Sequence, residues 1–229
     1  MAEIGEMIAF TSDETQGSGY LARPAGSGSV PAVIVIQEWW GLTDDIKAIA
    51  DRFAAAGFVA LAPDLYHGQV ATEPDEARKL AMGLDMSRAV QEIVAAVNYL
   101  CGRAEVQRIG AVGFCMGGSL ALVLGSKTPR IDAVVAFYDG RRLDDALLMA
   151  IGCPVLALYG GRDQGILPEV IEHKREVWQR ADVPHEIVVY EQADHAFFND
   201  TRPEHYDPAA AADAWQRVLA FFHKQLQSA

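Results

Sequence analysis

Short uninterrupted apolar runs alternate with longer segments in which apolar residues recur every three or four positions, the pattern of buried parallel strands covered by helices. The runs at 32–36, 58–62, 108–114, 133–137, 155–159 and 186–190 read as core strands. Helical periodicity falls at 43–56, 85–100, 117–126, 168–180 and 208–226. The last helix opens with Asp207-Pro208, an N-cap acid followed by a proline whose missing donor costs nothing there. Two segments before Ala32 read as an antiparallel hairpin at the sheet edge. The pattern predicts an α/β fold with a mostly parallel central sheet and helices on both faces. No linker, charge run or internal repeat divides the chain, so its 229 residues are expected to form one domain.

Ligands of such a sheet bind at the carboxyl ends of its strands, which directs attention to residues just after the apolar runs. The strand ending at Phe114 runs into Cys115-Met116-Gly117-Gly118 and then a helix. With Gly113, this makes the strand, G-x-C-x-G-G, helix arrangement of a nucleophile elbow, with cysteine in the serine position. Side chains at Gly113 and Gly117 would collide with neighbouring backbone in so tight a turn. A thiol there sits at a helix N-terminus, where the dipole and free amides favour a thiolate. The Met116 amide is a candidate oxyanion donor. A buried structural cysteine beside packing glycines is the competing reading.

The run at 155–159 leads into Gly160-Gly161-Arg162-Asp163-Gln164-Gly165, and the run at 186–190 into Glu191-Gln192-Ala193-Asp194-His195. Nucleophile, acid and histidine thus follow separate strands in the chain order of α/β-hydrolases. Cys115 is the candidate nucleophile, His195 the base and later the acid, and Asp163 the group that fixes the imidazole. Taken singly, Asp163 reads as a turn former and His195 as a surface or core histidine.

Charge narrows the function classes. Nineteen basic against thirty-one acidic residues give a net charge of −12, which opposes docking on nucleic acid or an anionic membrane. The start Met1-Ala2-Glu3-Ile4-Gly5-Glu6 lacks the basic and apolar regions of a signal peptide, and a cytoplasmic location is expected. Cys101, Cys115 and Cys153 are odd in number and form no CxxC pair, which suits reduced thiols. No metal or organic cofactor is expected. The oligomeric state is open, with a monomer as the expectation.

The chain resembles the dienelactone hydrolase (carboxymethylenebutenolidase-like) family of the α/β-hydrolase superfamily over nearly its whole length. The matching stretches are Gln37-Glu38-Trp39-Trp40-Gly41-Leu42, Ala62-Pro63-Asp64-Leu65-Tyr66, Gly113-Phe114-Cys115-Met116-Gly117-Gly118, Gly161-Arg162-Asp163 and Asp194-His195-Ala196-Phe197. The resemblance implies hydrolysis of a small ester or lactone through a thioester on Cys115. It implies that Glu38 contacts the resting cysteine and takes part in switching it to thiolate, and that Trp39 gives the second oxyanion amide. Two positions depart from the family pattern. Its substrate-binding arginines, two residues after the Asp-Leu-Tyr tyrosine and four after the catalytic histidine, are replaced by Gly68 and Asn199. Arg78, Arg141, Arg142 and Arg202 are possible substitutes, with solvated surface charge as the plainer reading.

Trp40, Tyr66, Phe197 and Phe198, with Trp39, flank the predicted site and are candidate pocket residues for an uncharged acyl or aromatic group, against a reading as core packing. The alternative to a hydrolase is a catalytically idle binding or redox-sensing module with a reactive Cys115. Peptide hydrolysis by the same triad also remains open.

Overall fold

The computed structural model describes residues 5–12, 15–26 and 28–226, so residues 1–4, on which the expectation about a signal peptide partly falls, lie outside the described residues. Eight strands form one sheet in the order β1-β2-β4-β3-β5-β6-β7-β8. Strands β1 (Glu6–Ser12) and β2 (Thr15–Ala22) pair antiparallel from Glu6 opposite Leu21 to Ser12 opposite Thr15, and are the expected edge hairpin. β2 also runs antiparallel to β4 (Val59–Pro63). From there β3 (Val30–Ile36), β5 (Val106–Phe114), β6 (Ala133–Phe137), β7 (Val155–Gly160) and β8 (His185–Tyr190) are parallel. Every residue of β4, β6 and β7 is buried, which is why these strands read as unbroken apolar runs. The edge strand β8 is only partly covered along its length.

Helices α1 (Asp44–Ala55), α3 (Met86–Cys101), α4 (Met116–Lys127), α6 (Pro168–Arg180) and α7 (Pro208–Leu226) occupy the predicted segments within a residue or so at each end. Their starts follow capping chemistry. The Thr43 side chain accepts from the Ile46 amide, and Asp85 accepts from the amides of Ser87 and Arg88. Two helices escaped the periodicity. α2 (Pro74–Gly83) buries only Ala77, so it carries almost no apolar stripe, and α5 (Asp145–Met149) has five residues. No helix among the described residues is long and apolar enough to cross a membrane.

The chain reverses its direction of strand addition at β3, which lies between β4 and β5. The crevice at the carboxyl ends of β3 and β5 is therefore the topological switch point. Glu38 follows β3, Cys115 follows β5, Asp139 follows β6, Asp163 follows β7 and His195 follows β8, all on that edge.

Candidate active site

The turn from β5 into α4 holds Cys115 at φ 52°, ψ −112°, outside the ordinary conformations of an L-residue. Such a conformation costs on the order of 1–3 kcal/mol and persists only where the surroundings enforce it. Here a Cβ on Gly113 would lie 2.0 Å from the Gly117 carbonyl oxygen, and one on Gly117 would lie 2.4 Å from the carbonyl oxygens of Ile36 and Gln37. Only glycine fits either place. The Cys115 amide donates to Phe137 at 3.0 Å, and its carbonyl accepts from the amides of Gly118 and Ser119 at 3.1 and 3.4 Å. The thiol thus projects from a fixed backbone at the head of α4, where the Met116 amide is outside the helix's own ladder.

The loops after β7 and β8 are laced together by the amides of Gly161 and Arg162, which donate to Tyr190 and Ala193 at 2.8 and 3.0 Å. This sets His195 Nδ1 2.5 Å from Asp163 Oδ2, while Asp163 Oδ1 accepts from the Gly165 amide at 2.8 Å. Burial pushes the imidazole toward its neutral form, but hydrogen bonds with Asp163 and Cys115 outweigh it and raise the histidine to about 10. A charged imidazole beside the thiol is the state this arrangement favours. The three residues that the sequence separated by strand order are brought together.

Glu38 is buried at the end of β3, and burial raises its carboxyl above the usual range, against the hydrogen bonds and positive charges that oppose the shift. Its oxygens are taken one each by the Tyr138 hydroxyl and the Asn199 side-chain amide, both at 3.0 Å. The expected contact of Glu38 with the resting cysteine is therefore corrected: Glu38 is turned to Tyr138 and Asn199, and Cys115 to His195. Asn199 stands where the family pattern has an arginine, and it is this amide that holds the carboxyl. Gly68, at the other departure, donates its amide to Asp64 Oδ2 at 2.6 Å and helps tie the 64–68 loop.

Two cavities meet at Cys115, Trp39, Gly165 and His195. One of about 400 Å³ is lined by Ala81, Met86, Met116, Ser119, Arg141 and Ile166, the other of about 630 Å³ by Asp163, Asp194, Glu204 and His205 among others. The aromatic pocket expected from sequence needs correcting, since Trp39 is its only member that lines either cavity. Phe197 packs on Phe137, Tyr138 and Tyr190, and Phe198 on Phe114, Phe137 and Trp215. Ala196, at φ 60°, turns the chain after His195 so that both rings enter the core. Trp40 is covered by the Arg202 guanidinium, 3.7 Å from its ring centroid. Tyr66 is buried with its hydroxyl 3.8 Å from the Met116 sulfur. Its phenol is pushed up to about 12 by burial and by Cys115.

Sequence reasoning passed over Tyr138 and Asp139, although both directly follow β6 and so occupy a post-strand position like those of Cys115 and Asp163. It also gave Arg141 no more weight than Arg78, Arg142 or Arg202. Arg78 is paired with Asp75 at 3.8 Å, Arg142 lines a separate cavity, and Arg202 lies on Trp40.

The dienelactone hydrolase family model matches residues 18–226. "Protein usf" of Aquifex pyrophilus is 37% identical over 233 residues, covering 97% of this chain and 100% of that protein. A "Putative carboxymethylenebutenolidase" of Aquifex aeolicus is 35% identical over 235 residues, covering 98% and 100%. Among solved structures, a "Putative Dienelactone Hydrolase" from Klebsiella pneumoniae superposes with a TM-score of 0.88 at 29% identity, covering 96% of this chain and 98% of that one.

Proposed function

The chain belongs to the dienelactone hydrolase family, whose members act on ester bonds, and from that premise we propose that it cleaves small esters or lactones with Cys115 as nucleophile. The observation that carries this reading is the array of Asp163, His195 and Cys115, with a 2.5 Å bond fixing the imidazole and the thiol held at the strained elbow. The thiolate sulfur attacks the carbonyl carbon, and the developing oxyanion is met by the amides of Met116 and Trp39. Collapse of the tetrahedral adduct breaks the carbon–oxygen bond, and the imidazolium of His195 gives its proton to the departing alkoxide. The acyl group remains on sulfur as a thioester. His195, now neutral, takes a proton from water, whose oxygen attacks the thioester, and the acid leaves as the thiolate and imidazolium are restored.

Asp163 holds the imidazole so that Nε2 faces the reacting atoms and stabilises its charged form. Glu38, fastened by Tyr138 and Asn199, positions the strand end that carries the Trp39 amide instead of restraining the thiol. The test is hydrolysis of an activated aryl acetate by the wild type, Cys115→Ala and His195→Ala, together with intact-mass detection of an acetyl adduct. Each substitution is expected to lower turnover by at least ~10³-fold, on the scale seen when one member of a hydrolase triad is removed. Turnover near the wild-type rate in either variant refutes the reading.

A further inference from the structure

We propose that the acyl half of the substrate is an uncharged aliphatic chain longer than acetyl, seated on Trp39, Ala81, Met86, Met116 and Ile166, and that the alcohol half is received by the charged cavity over the histidine loop. The proposal rests on the nucleophile assignment above and adds the substrate class.

The two cavities that meet at Cys115 are lined by different kinds of side chain. Over the head of α4, apolar side chains converge from separate elements: Trp39 follows β3, Ala81 lies on α2, Met86 opens α3, Met116 opens α4 and Ile166 lies between β7 and α6. Gly140 lines the same cavity, and a Cβ there would lie 3.0 Å from the Ile166 side chain, so the missing side chain keeps that wall clear. The charged lining residues of this cavity are His195, shared with its neighbour, and Arg141, which is exposed and keeps its guanidinium in water. Over the histidine loop the lining includes Arg162, Asp163, Gln164, Asp194, Glu204 and His205.

The chemistry assigns the cavities to the two halves of the substrate. The leaving oxygen takes its proton from His195 and so departs over the histidine loop, among the charged side chains. The acyl group stays on the Cys115 sulfur, on the side of Met116 and the apolar lining. Each methylene of the acyl chain that moves from water onto that lining favours the transition state over free enzyme and ester, by up to about 4-fold in kcat/KM. A carboxylate at the end of the same chain would give up its water for methionine and isoleucine side chains, and that desolvation opposes binding. An alkyl extension of the alcohol half would gain little, because it would strip water from the carboxylates and amides that line the other cavity.

The test compares kcat/KM for 4-nitrophenyl acetate, butyrate and hexanoate, for 4-nitrophenyl hydrogen glutarate, and for 4-methylphenyl and 4-butylphenyl acetate, each corrected with the Cys115→Ala protein. The wild type is expected to gain about 2- to 4-fold for each methylene added to the acyl chain, and to turn over the glutarate less well than the hexanoate. Butyl in place of methyl on the leaving phenol should change the rate by less than about 2-fold. Ala81→Glu sets a carboxylate in the wall of the apolar cavity and should lower the ratio of hexanoate to acetate by at least about 10-fold. Met82→Glu puts the same charge at the next position on α2, which is 81% exposed and lines neither cavity, and should leave that ratio where it was. A wild-type ratio at or below one, a preference for the glutarate, an equal gain from alkyl on the leaving group, an unchanged ratio in Ala81→Glu, or an equal fall in Met82→Glu overturns the proposal. In each of those cases, acetate turnover that still depends on Cys115 leaves the nucleophile assignment standing, and loss of that dependence refutes the assignment itself.

Discussion

Asp139 and Asp163 occupy equivalent stations, just beyond the neighbouring parallel strands β6 and β7, yet they have opposite fates. Asp139 is fully buried and so is its cation: the Lys174 ammonium lies against its Oδ2 and donates to its carbonyl at 2.8 Å, while the Tyr159 hydroxyl donates to Oδ1 at 2.6 Å. Burial, then the Asp139 charge, drive the Tyr159 phenol well above its ordinary value, so it stays a donor. Asp163 is nearly as buried, but its partner His195 keeps 37% of its side chain exposed and faces Cys115. An acid at a strand end is confined to holding structure when its cation is sealed in with it, whereas a cation with one side on the acid and the other on a cavity, as in the triad proposed above, is free to take part in chemistry.

The largest effect that sharpens this contrast is on turnover. Asp163→Asn removes the charge that orients and stabilises the imidazolium, and kcat should fall by about 10³- to 10⁴-fold, the scale found for the equivalent change in a serine protease triad. Its melting temperature should move little, because the half-open histidine can rehydrate. An NMR titration of His195 should show its value falling from about 10 once Asp163 is lost. Activity within ten-fold of the wild type would place Asp163 with Asp139 as a structural acid.

The reverse outcome is expected on the closed side. Lys174→Met leaves a buried carboxylate without its cation, a change that costs about 3–5 kcal/mol. For a chain of this size that lowers the melting temperature by roughly 6–20 °C. The folded fraction should keep most of its esterase activity. Combining the change with Asp139→Asn removes the orphaned charge and should recover part of the loss. A single variant as stable as the wild type would mean that water reaches Asp139 and that the two acids differ less than their burial suggests.

The same physical contrast explains what the sequence could reveal. Helices α6 and α7 were placed to the residue because Pro168 and Pro208 mark their first turns. The convergence of Cys115, Asp163 and His195 was legible because order after successive strands is a one-dimensional signal. The partners of Glu38 were not, since Asn199 lies 161 residues away and is brought in only by closure of the sheet. Phe197 and Phe198 misled for a local reason: beside His195 in the chain, they are turned into the core by the backbone at Ala196. Arg141 carried no pattern at all, because one arginine in a polar loop has the same sequence signature whether it faces water or a cavity. Asp139 and Lys174 show the converse, since a buried ion pair between a loop and a helix leaves no periodicity to read.

A third carboxylate, Asp45 in the first turn of α1, falls between the two and supplies the smallest test. Burial raises it to about 7, the negative charges of Glu38 and Asp200 add to the shift, and Arg52 opposes it. Arg52 is only a partial counter-charge, because its guanidinium lies 4.2 Å from the Trp215 ring centroid and 5.2 Å from that of Phe198. The folded-state value is raised above the unfolded value of 3.8, so between 3.8 and about 7 the folded protein binds a proton that the unfolded chain has lost. Stability from this group therefore falls as the pH climbs through that window and stays lowered above it. Asp45→Asn removes the ionisation and should stabilise the protein at about pH 8 by about 1 kcal/mol, a rise of roughly 2–4 °C in melting temperature, with little change near pH 4. Melting curves at the two pH values decide the point. An equal shift at both would trace the effect to the helix start and not to the charge.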